Sequence, residues 1–503
     1  MNRVLPIVMG IFWLFLLGCA GPMVQKEIGS FPRDARATLF FNHLDMAVKK
    51  YAVSDASGFV VPGFPYLRSN RFLAAMKERL VTSDVGAYWV EHMLELSLTS
   101  RQKELSNLSA AALMEISRAT GEPADADTMY QKTESYALQL LRDDQTNPDF
   151  MDILKRAVTI PDEYSSAARF FGLYPLACIP VSIATSKAYS RLKKWHQTPL
   201  NDLDIDGRLV RFFPEAFDSA AHQTFLSRLY DPLSLDNFGL PVLTKRDERR
   251  LANWFAPIIT QDVAKAYDRI GKIIWQDDQV RVDTGQPAAY FYTSHNFLDG
   301  HPVLQINYAF WYSERAGKNA PWIERGPLDG LTYRVTLDKT GAPVMVDIMN
   351  NCGCYYFFVP QKAMVAKVVT TPGEIAPLVP AWLPEEFPAK QMNLRVNSGW
   401  HQVQKVFTEA GSASGVAYSL IPYETLESLP KGAGQRESAF LPTGVMKDSW
   451  RIEPYIFFSM GIHSIGYMRQ RGHHAIKMVG RGHFTDTDLF DRSFLFKDAM
   501  EKP

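Results

Sequence analysis

Residues 288–312 read AAYFYTSHNFLDGHPVLQINYAFWY, and their reading decides the fold class. Aromatic and β-branched residues recur with a period of two on either side of Asn296-Phe297-Leu298-Asp299-Gly300, the pattern of two strands joined by a tight turn. Ala288–His295 and Pro302–Tyr312 are therefore expected strands, and Leu331–Leu337 with Pro343–Met349 extends the same pattern. Asp338-Lys339-Thr340-Gly341 between the last two is a hairpin turn with a glycine free to adopt positive φ. Trp400–Phe407, Val416–Ile421 and Tyr455–Phe458 are expected to complete an antiparallel sheet. Thr370–Pro388 is proline-rich and reads as a surface connection, Gly411–Ser414 and Lys431–Gln435 as loops, and Asp486–Phe496 as a short closing helix.

Upstream of about Trp275 the period is helical. Leu39, Phe40, Leu44, Ala47 and Val48 stand at three-and-four spacing within Arg36–Tyr51, one buried stripe. Further helices are expected at Arg71–Leu80, Val85–Leu105, Ala110–Ala119 and Asp127–Arg142, and Thr244 with Asp247 opens another with a capping side chain. Pro62-Gly63-Phe64-Pro65-Tyr66-Leu67-Arg68 reads as a rigid loop feeding the helix at Arg71. Pro161–Ser186 is apolar and aromatic but broken by Pro175 and Pro180; it fits a buried, kinked helix pair, or a segment lying on a bilayer, and burial is the favoured reading. The expected class is α+β: a mainly helical region at 33–280, then an antiparallel β-rich region at 281–503.

The N-terminus carries an address. Arg3 precedes an apolar run from Val4 to Leu17, shorter than the roughly 20 residues of a spanning helix and suited to an export signal. Leu16-Leu17-Gly18-Cys19 resembles the lipobox of bacterial lipoproteins. The resemblance implies a signal peptide at 1–18, lipid on Cys19, a tether at 19–32, and a place in the cell envelope. Ala20, where inner-membrane lipoproteins often carry aspartate, points to the outer membrane facing the periplasm. The implied partners are the membrane, through that lipid, and peptidoglycan or other envelope proteins.

The 503-residue chain is 46% hydrophobic and 21% charged, a globular composition. Lysine plus arginine and aspartate plus glutamate both number 54, so no global charge recommends a nucleic-acid partner. With Cys19 assigned to lipid, Cys178, Cys352 and Cys354 remain, too few for a disulfide framework.

Seven histidines fall after residue 290: His295, His301, His401, His463, His473, His474 and His483. If Asn296–Gly300 is the hairpin loop, His295 and His301 stand opposite each other on adjacent strands and can share a transition-metal ion, with a third ligand from Asp299, Glu314 or another histidine. Cys352-Gly353-Cys354 offers thiolate ligands, a redox pair, or one disulfide to Cys178 with a thiol left over. Arg469, Arg471, His473 and His474 form a glycine-flanked cationic cluster suited to a phosphate or carboxylate, or to a solvated basic edge. Nucleophile-elbow, Walker and dinucleotide motifs are absent from the mature chain. Two functions follow as expectations: a metal-dependent hydrolase acting on an envelope component, or a non-catalytic binding or assembly lipoprotein.

Overall fold

A computed structural model describes residues 31–215, 222–409 and 415–497. Cys19, the signal segment, most of the tether and the Gly411–Ser414 loop lie outside the described residues. The described residues divide into two compact units, one made of those within 31–47, 58–101 and 110–161, the other of those within 48–57, 102–109 and 162–497.

The first unit is helical. Its helices include Arg71–Met76, Ala110–Thr120, Ala126–Gln145 and Phe150–Ala157, with most of Ala35–Lys50 and Ser83–Asn107. Phe40 and Leu44 are buried as expected, while Leu39 is 45% exposed, because the apolar stripe is narrower than its spacing suggested. Asp144, fully buried, accepts from Arg33 Nε at 2.6 Å and Tyr66 Oη at 2.7 Å, and Trp89 Nε1 donates to the Leu73 carbonyl at 2.7 Å. The segment around Pro62 is a hairpin of strands Phe59–Val61 and Phe64–Ser69, turning at Gly63 with φ +82°, instead of a rigid loop.

A ten-stranded sheet forms the core of the second unit. In chain order its strands are β1 Arg208–Pro214, β2 Ile258–Val263, β3 Ala288–Leu298, β4 His301–Arg315, β5 Gly326–Leu337, β6 Pro343–Asn350, β7 Phe357–Pro360, β8 Gln391–Val396, β9 Val403–Glu409 and β10 Val416–Pro422. Their spatial order is β7-β6-β5-β4-β3-β10-β1-β2-β8-β9. The β3–β7 meander is antiparallel, as its alternating sequence implies, and Asp338–Gly341 turns β5 into β6 with Gly341 at φ +82°.

The sheet as a whole is mixed. β10 lies parallel to both β3 and β1, and β8 lies parallel to β2, correcting the all-antiparallel expectation. β1 and β2 also place sheet inside the region expected to be mainly helical: each is short, and β2 is buried along its whole length, so neither advertises a two-residue period. The helix Lys245–Phe255 between them starts with the expected cap, Asp247 N donating to Thr244 Oγ1 at 3.1 Å and Thr244 N donating back to Asp247 Oδ2 at 3.2 Å.

Other corrections lie near the chain's end. Tyr455–Phe458 is helical turn, not strand: the turn Glu453–Ile456 runs into the 3-10 turn Phe458–Met460, and both Glu453 and the proline after it favour a helix start. Ala475 makes a single antiparallel bridge to His483. The closing helix shortens to Leu489–Ser493, because Phe494–Phe496 pairs with Val365–Val368. The segment expected to be a buried helix pair forms helices Ser166–Phe171 and Tyr174–Gln197, and their apolar side chains are largely exposed.

Candidate functional site

Where β6 ends, the chain turns through Asn350-Asn351-Cys352-Gly353-Cys354. Gly353 N donates to the Asn350 carbonyl at 2.8 Å and Asn350 N to the Cys354 carbonyl at 3.0 Å. Asn351 fixes the turn to the sheet: its Nδ2 donates to the Phe310 carbonyl at 3.1 Å, and its Oδ1 accepts from Thr332 Oγ1 at 2.7 Å. Gly353 has φ +89°, and a Cβ there would fall 2.2 Å from the Ala475 carbonyl oxygen, so glycine alone fits. The turn brings Cys354 N within 3.4 Å of Cys352 Sγ, to which it donates.

Both cysteines line a cavity of about 410 Å³ in the second unit. Tyr189, Tyr355, Trp400, Phe457 and Ile465 give it apolar walls, and Glu324 and Glu453 bring carboxyl groups to it. Cys178, Cys352 and Cys354 are all free thiols, so the disulfide to Cys178 is not formed.

A buried charge network supports this wall. Arg315 holds Asp329 with a two-pronged grip at 3.0 and 2.8 Å and Glu324 at 2.8 Å. Glu324 also accepts from Trp400 Nε1 at 2.8 Å and Tyr355 Oη at 2.5 Å. On the far side of Asp329, His401 lies between two carboxylates, Nδ1 at 2.7 Å from Asp329 and Nε2 at 3.3 Å from Asp268, its ring stacked on Tyr312 with centroids 3.9 Å apart. Arg315, Asp329, Asp268 and His401 are each at most 1% exposed.

The thiols are driven apart. Burial pushes the Cys352 thiol up, but the Cys354 thiol donating to it, the Arg315 guanidinium and the Cys354 amide outweigh burial and bring it down to about 7. Cys354 is pushed well above the ordinary thiol range, first by that same hydrogen bond and then by burial. Burial, then the charges of Glu324 and Cys352, push Glu453 up to about 8. Asp329 stays well below the carboxylate range: burial opposes this, and Arg315 and His401 overcome it. His401 is raised, its two carboxylates overcoming burial.

The sequence-derived metal ligands are not brought together. The β3–β4 register pairs His295 with Leu304 and His301 with Leu298, with the two-residue turn at Asp299-Gly300. The loop is three residues shorter than expected, so the two imidazoles fall an odd number of residues apart along the ladder and on opposite faces of the sheet. Neither lines the cavity that holds Cys352 and Cys354. Among the described residues, no group of three or more His, Cys, Asp or Glu side chains is placed to hold a metal ion.

The cationic cluster is committed internally. Arg471 grips Glu427 through Nε at 2.8 Å and Nη2 at 2.7 Å. Arg469 Nη1 reaches Glu163 at 3.4 Å, His473 Nδ1 stands 2.7 Å from the same carboxylate, and His474 is 4% exposed. These carboxylates occupy the anion-binding role expected of an outside ligand, and neither Glu163 nor Glu427 is near the cluster in sequence.

Searches against protein-family models, curated proteins and solved structures find no match to this chain.

Proposed function

We propose that Cys352 and Cys354 form a thiol–disulfide exchange centre acting on an apolar substrate. One observation carries this reading: two thiols a single residue apart, one acidified and one held as its proton donor, in the wall of an apolar cavity. The Cys352 thiolate attacks one sulfur of a substrate disulfide, the substrate S–S bond breaks, and one half leaves as a thiolate. Cys354 then passes its proton to Glu453, left as a carboxylate once it has protonated the first departing thiolate, and attacks Cys352 Sγ; the mixed disulfide breaks, the second half leaves, and Cys352 and Cys354 are joined. The substrate gains two electrons and the protein dithiol loses two. Glu453, protonated at neutral pH, supplies a proton to a departing thiolate. Gly353 lets the chain close so small a ring.

The resemblance of Leu16-Leu17-Gly18-Cys19 to a lipobox supports an envelope setting for this chemistry, with a lipid tether at Cys19. The test is trapping with an aromatic disulfide. Cys354→Ser is expected to stop as a mixed disulfide on Cys352, whereas Cys352→Ser leaves Cys354 unmodified. Modification of Cys178 alone would sink the reading.

A further inference from the structure

The helices Ser166–Phe171 and Tyr174–Gln197 carry an unpaired apolar surface. Phe170, Phe171, Leu173, Leu176, Ile179 and Ile183 are 55–76% exposed. The turn Phe458–Met460 packs beside these helices, the turn Glu453–Ile456 packs on it, and together they add exposed Tyr455, Ile456 and Phe458. The junction is fixed in place: a Cβ on Gly172 would stand 2.5 Å from Ser459 Cα, so the first helix runs hard against that turn. A soluble surface seldom gathers so many large apolar groups without a partner.

The charge of the segment names the partner. Of the five cations from Ser165 to Gln197, Arg169 is bound to the Met460 and Gly480 carbonyls at 2.9 and 2.6 Å, leaving Lys187, Arg191, Lys193 and Lys194 toward the helix end, and the segment holds no carboxylate. Leu176, Ile179 and Ile183 project from one side of the longer helix; Val181, Ala184 and Ala188 lie on the other and line the cavity. Apolar side chains at the start of the helix and cations toward its end suit entry into an acyl layer beneath anionic headgroups.

We propose that this surface docks on an anionic lipid bilayer, making the longer helix a wall between membrane and cavity. The proposal is independent of the thiol chemistry and of lipid on Cys19. It is tested by hydrogen–deuterium exchange on the full chain with vesicles of phosphatidylcholine alone or mixed with phosphatidylglycerol. Amides of residues 166–186 are expected to exchange about tenfold more slowly on the anionic vesicles, with the protection lost in Phe171→Asp/Leu176→Asp and weakened in Lys193→Glu/Lys194→Glu. Because these side chains are exposed, the variants keep the fold, checked by unchanged exchange in β3–β6. Equal exchange with and without anionic vesicles overturns the proposal. So does protection that rises with protein concentration in the absence of lipid, which assigns the face to a second copy.

Discussion

Replacing Arg315 with methionine separates the two jobs the structure gives it. The guanidinium is 1% exposed and neutralises Asp329 and Glu324 together. Removing one partner of a buried ion pair costs about 3–5 kcal/mol, since the remaining charge stays buried. Here the low end applies: Asp329 keeps His401, and Glu324 keeps Trp400 and Tyr355, so the expected loss is about 3 kcal/mol. The same cation also holds the Cys352 thiol down. Its loss should raise that thiol by about one pH unit, worth about 1.4 kcal/mol, and slow alkylation of Cys352 at pH 7 about fivefold. The assay pairs urea unfolding with iodoacetamide alkylation followed by peptide mass across pH. Arg315→Lys should recover part of the alkylation rate while losing the two-pronged grip on Asp329. An alkylation midpoint unmoved by Arg315→Met refutes the electrostatic account, even where stability falls.

Three further outcomes are expected. His401 is raised by its carboxylates, so its contribution to stability is complete below its unfolded value of about 6.5 and is lost as pH rises through the higher folded value. His401→Asn should therefore lower the urea midpoint more at pH 6 than at pH 9, and an equal loss at both would contradict this. His474 is pressed down to about 3, by burial first and then by Arg469 and His473. The unfolded chain thus takes up a proton the folded chain refuses: stability is present above about pH 6.5 and falls toward pH 3, by at most about 1.4 kcal/mol per pH unit for this group. His474→Phe should flatten that acid slope in thermal melts between pH 6 and pH 4. Gly353→Ala meets both a positive φ and the Ala475 carbonyl, so it should cost about 2 kcal/mol or more and slow Cys352 alkylation, read by melting and peptide mass.

The meander was legible because β3–β6 alternate and because glycine and aspartate mark their turns. β1, β2 and β8 were not: each spans only six or seven residues, β2 is buried along its whole length, and their parallel pairings join residues more than a hundred positions apart. The metal expectation turned on turn length, where a loop of two residues in place of five moves His301 to the other face. Cys352 and Cys354 were recognisable by spacing alone. Arg315, Asp329, Glu324, Trp400 and Glu453 were missed, since a strand-end arginine and scattered carboxylates carry no local signature of one site. His401 was noted only among the late histidines, its carboxylates lying 72 and 133 residues away.

The central claim is that Cys352 and Cys354 exchange electrons as a pair. The most direct measurement is the mass of the peptide holding both cysteines after the reduced full chain meets an apolar aromatic disulfide at pH 7. The account expects that peptide to lose two hydrogens as two aromatic thiols are released, with Cys178 unlinked to it. Two separate aromatic adducts on Cys352 and Cys354, or a peptide left fully reduced, would contradict it.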